Sequence, residues 1–186
     1  MALTKVSNAM RKEGQWVLIG TTEAATDASI TQTGLDSTYD TYVCLISDMV
    51  CDADAQALRL RLGDSGGIDS GASDYVYHHA NSLESGTGYG TGGNTTGADF
   101  INITGNTGNT AGEGIGAVIW IHTPQDGSTN ILMSGHYAAL NSSNVLVGGQ
   151  WIGARMSSIA LDRVQIYFPS NNIASGRFTV YGVAHA

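Results

Sequence analysis

Apolar and polar residues alternate in short runs along most of the chain, and turn-forming residues separate the runs. Leu58, Leu60 and Leu62, for example, alternate with two arginines, which is the two-residue period of a β-strand. The run Ala117–Ile121 is apolar throughout, which predicts a strand covered on both faces. The predicted strands are Trp16–Thr21, Thr41–Ser47, Ala57–Leu62, Tyr75–His79, Asp99–Ile103, Gly116–His122, Ile131–Ala138, Val145–Arg155, Arg163–Phe168 and Gly176–Val183.

No segment between these runs combines a strong helical period with capping residues, so the pattern predicts an all-β protein. Many short strands separated by turns favour a sandwich or a barrel over alternating strands and helices. We therefore expect a jelly-roll-like two-sheet β-sandwich. The 186 residues suit one domain, and we assign residues 15–186 to the sandwich and residues 1–14 to a short N-terminal arm.

The arm differs from the rest of the chain in its charge. Lys5 and Lys12 are the only lysines in the sequence, and Arg11 lies beside them, on a chain whose formal net charge is −8. A basic arm on an acidic body is suited to docking on an acidic partner, and a solvated, frayed terminus is the alternative interpretation. The candidate docking residues are Leu3, Lys5, Val6, Met10, Arg11 and Lys12.

The acidic charge also limits the classes of partner. Negative surfaces repel nucleic acid phosphates and anionic lipid headgroups, so we expect neither a nucleic acid nor a membrane as a partner. Residues 1–15 lack the apolar core of a signal peptide, and no apolar run approaches the ~20 residues of a membrane span. Cys44 and Cys51 are too few for a disulfide scaffold, and a bond between them is left open.

A search for catalytic patterns finds none with the right context. No histidine pair has zinc-protease spacing, and no Gly-x-Ser-x-Gly nucleophile elbow is present. Gly88–Gly93 matches the dinucleotide-binding glycine pattern but opens no predicted helix. Glu23, Glu84 and Glu113 lie in no glycosidase motif. We therefore predict no catalytic, cofactor-binding or metal-binding residues, and a protein that is not an enzyme.

Two kinds of polar segment each allow two interpretations. Asp64, Asp69 and Asp74 could supply oxygen ligands to calcium, but aspartate, serine and glycine are also ordinary turn formers, and we favour a turn. The glycine-rich stretches Ser82–Ala98 and Gly105–Gly114 are predicted loops. Long loops are usually functional or mobile, and a partner chain could order these two.

Aromatic and imidazole side chains also fall within predicted strands. His78 and His79 are adjacent, so they should point to opposite faces of one strand and not share a metal ion. Aromatic residues in strands usually form the core or pair across strands, and the alternative is stacking on a sugar ring. We favour the core for four of them: Trp120, Tyr137, Trp151 and Tyr167.

Two stretches carry a resemblance to bacteriophage proteins. The opening Ala2–Met10, with the sequence Ala-Leu-Thr-Lys-Val-Ser-Asn-Ala-Met, resembles the N-terminal docking segments of tail-fibre and tail-spike proteins. The ending Asn172–Val183 resembles the last strand of small virion structural proteins of tailed phages, and the stretches Asp36–Tyr42, Asp52–Asp54 and Leu58–Gly67 are compatible with that group. The resemblance implies a virion protein with a β-sandwich body and implies no catalytic residue.

Together these observations lead to one expectation and one alternative. We expect an oligomeric capsid decoration, or cement, protein that is synthesised in the host cytoplasm and resides in the virion. Its expected partners are itself, as a homotrimer, and other virion proteins such as the major capsid protein. The alternative is an adsorption protein of the tail or of a head fibre that binds host-surface glycan, with Tyr89 as a contact.

Overall fold

The computed structural model describes residues 15–83, 90–122 and 128–184. Within these ranges every regular element is a strand, and none of the described residues belongs to a helix that could cross a membrane. The candidate docking residues of the arm lie outside the described residues. The strands are β1 (Trp16–Glu23), β2 (Ile30–Thr33), β3 (Thr41–Cys51), β4 (Arg59–Asp64), β5 (Gly67–Ile68), β6 (Tyr75–Leu83), β7 (Gly90–Ala98), β8 (Ile101–Asn102), β9 (Ile115–His122), β10 (Leu132–Leu140), β11 (Leu146–Arg155), β12 (Arg163–Tyr167) and β13 (Ile173–Val183).

The strands form two antiparallel sheets of unequal size. The large sheet has the order β1-β13-β3-β9-β10-β11-β6-β7, and the small sheet has the order β2-β12-β4-β5 with β8 paired to β4. The chain crosses repeatedly from one sheet to the other, while β9, β10 and β11 follow one another as a meander within the large sheet. The prediction of an all-β, two-sheet sandwich is confirmed.

The core lies between the two sheets and follows the two-residue period of the sequence. The large sheet contributes Ile119, Phe178 and Val180, and the small sheet contributes Leu60 and Ile166, all of them completely buried or nearly so. The apolar side chains of each strand therefore point to a common interior, as burial of apolar area requires.

One of the two loop predictions is wrong in part. Gly90–Ala98, within the glycine-rich stretch Ser82–Ala98, forms strand β7 at the edge of the large sheet and pairs with β6. Strand pairing uses backbone groups, so a segment of glycine, threonine and asparagine can pair while lacking the β-branched and aromatic residues that reveal a strand in a sequence. Conversely, the predicted strand Asp99–Ile103 is reduced to the two residues of β8.

The second glycine-rich stretch, Gly105–Gly114, is a loop, as predicted, but contacts within the same chain hold it. The Gly105 amide donates to the Tyr137 hydroxyl at 2.8 Å, and the Thr107 amide donates to the Gln56 carbonyl oxygen at 2.9 Å. A partner chain is therefore not needed to order this loop.

Candidate functional site

Exposed apolar side chains are concentrated on one surface of the molecule. We call this surface, which is the side of the large sheet that faces away from the small sheet, the outer face. Five of the large hydrophobic residues that are exposed in the described chain point from it, and a sixth, Met156, directly follows β11. Their exposed fractions range from 45% to 61%. The five are Trp16, Leu18, Leu132, Leu146 and Ile152.

Strand register places two of these side chains, Leu18 and Ile152, in one row across the sheet. The row runs through directly paired residues of β1, β13, β3, β9, β10, β11 and β6. Directly paired residues point to the same face of a sheet, so the row is a continuous band on the outer face. In strand order its members are Leu18, Tyr181, Val43, Trp120, Ser134, Ile152 and His78.

An aromatic cluster occupies one side of this band. The Trp16 ring lies edge-on to Trp120, with ring centroids 5.8 Å apart, and its centroid is 5.7 Å from that of Tyr181. Val43 lies between Trp120 and Tyr181 in the register and is completely buried, although it points away from the core between the sheets. The cluster therefore forms a small second core on the outer face.

A shallow depression of about 490 Å³ lies on the other side of the band. The small side chains of Ala80 and Ser134 leave room between larger neighbours. His78, His136 and Gln150 supply hydrogen-bonding groups at its border, and Trp120 and Ile152 also line it. Its described lining contains no Asp, Glu, Lys or Arg side chain. The depression is therefore chemically suited to an uncharged surface that combines apolar area with hydrogen-bonding groups.

Charged side chains on the outer face are confined, among the described residues, to one corner. There the Arg177 guanidinium binds the Glu23 carboxylate, and Asp48 lies nearby at a β-bulge of β3. The bulged backbone puts Asp48 at a φ of 52° and Gly176 at 119°. A Cβ on Gly176 would lie 2.5 Å from the Met49 Cα, so this close approach requires glycine.

The outward side of the small sheet has a different chemistry. The Arg61 guanidinium carbon lies 4.6 Å from the Tyr167 ring centroid, and its Nε donates to the Asp99 carbonyl oxygen at 2.7 Å. The Arg59 guanidinium carbon lies 3.7 Å from the Phe100 ring centroid. These arginines cover aromatic rings of the same chain, so this side buries its own apolar surface.

The aspartate cluster of the sequence is used for turns and ion pairs. Asp64 accepts from the Gly66 amide at 2.7 Å, and Asp74 likewise caps a turn. The buried Arg155 guanidinium lies 3.0 Å from Asp69 and 3.3 Å from Asp74. The favoured interpretation as a turn is confirmed for Asp64 and Asp74. Across the described ranges, no three His, Cys, Asp or Glu side chains are arranged to hold a metal ion.

The two adjacent histidines point in opposite directions, as predicted. His78 is exposed on the outer face, and His79 is buried between the sheets, where its Nε2 donates to the Asn102 carbonyl oxygen. Burial lowers the pKa of His79, since removal from water penalises the charged imidazolium.

The aromatic predictions are correct for two residues of four. Trp151 and Tyr137 lie in the core, whereas Trp120 and Tyr167 are half-buried on the outward sides of their sheets. Tyr89, the predicted glycan contact, lies outside the described residues. Both cysteines are buried and free, and burial raises the pKa of Cys44.

The outer face is the surface that sequence reasoning missed, because its members come from strands that are distant in the chain. The available signal was the apolar run Ala117–Ile121, whose outward residues include Val118 and Trp120. Comparison of the chain with protein-family models, curated proteins and solved structures gives no match.

Proposed function

We propose that this protein is a non-enzymatic structural component of a bacteriophage particle, located on the capsid as a decoration protein, and that it binds its neighbours through the outer face. One observation carries the proposal. The exposed large hydrophobic side chains of the described chain lie on or beside one sheet face whose described charges are confined to a corner, while the opposite side of the sandwich covers its own apolar surface. Contiguous exposed apolar patches are typical of interaction surfaces.

Binding of this kind explains how a protein without catalytic chemistry can act. A subunit that binds only the assembled shell stabilises that shell by mass action. The apolar area of the outer face supplies the driving force, and the absence of charge from most of it avoids the cost of burying unpaired ions. The resemblance of both chain ends to phage virion proteins supports the particle as the place of assembly.

The direct test locates the protein in the phage particle by cryo-electron microscopy. The proposal predicts density on the capsid surface with the outer face buried in the contact. Density at the tail tip alone, with a bare capsid, would contradict the decoration role, and absence of the chain from purified particles would contradict the structural role altogether.

Add-back to particles that lack the protein gives a second test of the contact. We expect Ile152→Asp to prevent rebinding, because a charge would be placed where an exposed apolar side chain meets the partner. Thr33→Asp is the matched control, since Thr33 is exposed on the outward side of the small sheet. Equal rebinding of both variants would contradict the use of the outer face.

A second candidate function is adsorption to host-surface glycan, and the depression on the outer face favours it. Sugar rings present apolar faces to aromatic residues and hydroxyl groups to neutral hydrogen-bonding side chains, and Trp120, His136 and Gln150 offer both. Glycan-array binding by the wild-type protein that is lost in His136→Ala and in Gln150→Ala would support adsorption. Absence of binding to any host envelope glycan would exclude it.

A further inference from the structure

We propose that the outer face binds the same face of a second copy of this chain. The inference rests on the proposed assembly role and names the partner that covers the surface. Three properties of the outer face lead to it: its area, its charge and the positions of its protruding and recessed parts.

The area of the outer face matches that of a stable interface. In the order of the large sheet, seven strands lie from β1 to β6. Spaced about 4.8 Å apart, they span about 29 Å, and eight residues of each strand span about 26 Å. The resulting area of about 750 Å² is close to the roughly 800 Å² that each partner contributes to an interface of standard size. One outer face from each of two copies therefore provides enough area for an interface of standard size.

Charge favours this face over the other surfaces for self-association. The chain has a formal net charge of −8, so two copies repel each other when charged surfaces meet. On the outer face the described charged side chains lie at the corner formed by Glu23, Asp48 and Arg177, and the rest is neutral. Face-to-face contact thus brings together the parts of two acidic molecules that repel least.

The shape of the outer face is compatible with a twofold arrangement. Trp16 and Leu18 protrude on the β1 side, and the depression beside Ile152 lies on the β10–β11–β6 side. A twofold axis parallel to the strands near β9, the middle strand of the seven, places the β1 side of each copy over the depression side of the other. In such a contact each apolar residue of the outer face contributes once from each of the two copies.

Sedimentation velocity of the full-length chain from about 0.1 to 100 μM tests the inference. We expect the wild-type protein to have a mass at least twice that of the chain. Leu18→Asp and Ile152→Asp lie on opposite sides of the outer face, and each should weaken association about 100-fold or more, because the substitution occurs in both copies. Thr33→Asp should associate like the wild type, and circular dichroism checks that all variants fold.

Three results would overturn the inference. The first is a wild-type protein that stays monomeric over the whole concentration range. The second is association that neither outer-face substitution weakens, and the third is association that only one of them weakens, since face-to-face contact uses both sides. A monomer that binds glycan and loses binding in Ile152→Asp would instead identify a saccharide as the occupant.

Particle binding separates this inference from the proposed function. A monomeric protein found on the capsid would retain the assembly role and overturn self-association. A self-associating protein that is absent from particles would retain self-association and overturn the assembly role.

Discussion

The two outward-facing sides of this sandwich are both formed by antiparallel strands but have opposite surface chemistry. On the small sheet, Arg59 and Arg61 lie over the rings of Phe100 and Tyr167, so long cationic side chains cover the apolar surface. On the large sheet, Leu132 and Ile152 are more than half exposed, and no described charged side chain lies beside them in the cross-strand pairs.

This difference separates residues that stabilise the fold from residues that are available for binding. An arginine stacked on a ring of its own chain contributes to the free energy of unfolding of the monomer. An exposed leucine or isoleucine contributes little to it and gains most when a partner removes it from water. Substitutions that remove stacked or packed side chains should therefore lower the free energy of unfolding, whereas substitutions of exposed apolar side chains should mainly weaken binding.

The largest effect is expected where the outer face has its own core. Trp120→Ala removes the ring that packs edge-on against Trp16 and uncovers Val43. Complete truncation of a buried tryptophan costs about 3–5 kcal/mol, and for this half-buried ring we expect a loss of about 2–3 kcal/mol in the free energy of unfolding. Urea unfolding measures it. Leu132→Ala on the same face is the control, and an equal loss in both variants would contradict the separate role of the cluster.

A smaller loss of stability is expected on the outward side of the small sheet. Arg61→Ala removes the stacking on Tyr167 and the contacts with Asp99, for a loss of about 1–2 kcal/mol. Arg61→Lys keeps the charge but not the planar guanidinium, so it should recover only part of the loss. Urea unfolding of both variants checks the order, and an unchanged midpoint in Arg61→Ala would show that this side does not stabilise the fold.

The adjacent residues His78 and His79, one exposed and one buried, should differ in their effect on the pH dependence of stability. Because burial lowers the pKa of His79, the unfolded chain binds a proton more readily than the folded chain. With respect to His79, the free energy of unfolding is therefore highest at neutral pH, where both states are unprotonated. It decreases as the pH falls through the ordinary histidine range near about 6.5 and levels off below the lowered pKa. Unfolding midpoints between about pH 7.5 and 5 should show this decrease.

His79→Gln should flatten that part of the pH dependence, since glutamine can still donate to the Asn102 carbonyl oxygen but does not bind a proton there. His78→Gln removes the neighbouring exposed imidazole and retains the buried one, so it should keep the decrease. A decrease that persists in His79→Gln and disappears in His78→Gln would contradict the assignment.

The smallest effect on folding is expected for Ile152, the most exposed of the large hydrophobic residues on the outer face. Ile152→Thr replaces a 61% exposed side chain with another β-branched residue, so the free energy of unfolding of the monomer should change by less than about 0.5 kcal/mol. Association or particle binding should nevertheless weaken, because apolar contact area is lost. Chemical denaturation at low protein concentration isolates the monomer, and a large destabilisation there would make Ile152 a folding residue.

The sequence predicted the chemistry of the small sheet better than that of the large sheet. Leu60 and Arg61 differ so strongly in polarity that their alternation shows which side is buried. In Ala117–Ile121 both sides are apolar, so the pattern predicts burial on both faces, while Trp120 remains partly exposed with the Trp16 ring packed edge-on against it.

The candidate site could not be predicted because it depends on strand order and register. Leu18, Val43 and Trp120 belong to three separate strands, and no local pattern indicates that they share one band. Strand β7 was missed because glycine lacks the side chain on which β-propensity depends. The short edge strands β2 and β5 have too few residues to show a period.

Hydroxyl-radical labelling of the free protein and of assembled particles tests most directly whether the outer face is the buried binding surface. At a concentration low enough to keep the free protein monomeric, Trp16, Leu132 and Ile152 should be labelled in the free protein and protected in the particle, while Tyr167 on the outward side of the small sheet should be labelled equally in both. Protection of Tyr167 with continued labelling of Trp16, Leu132 and Ile152 would contradict the assignment of the binding surface.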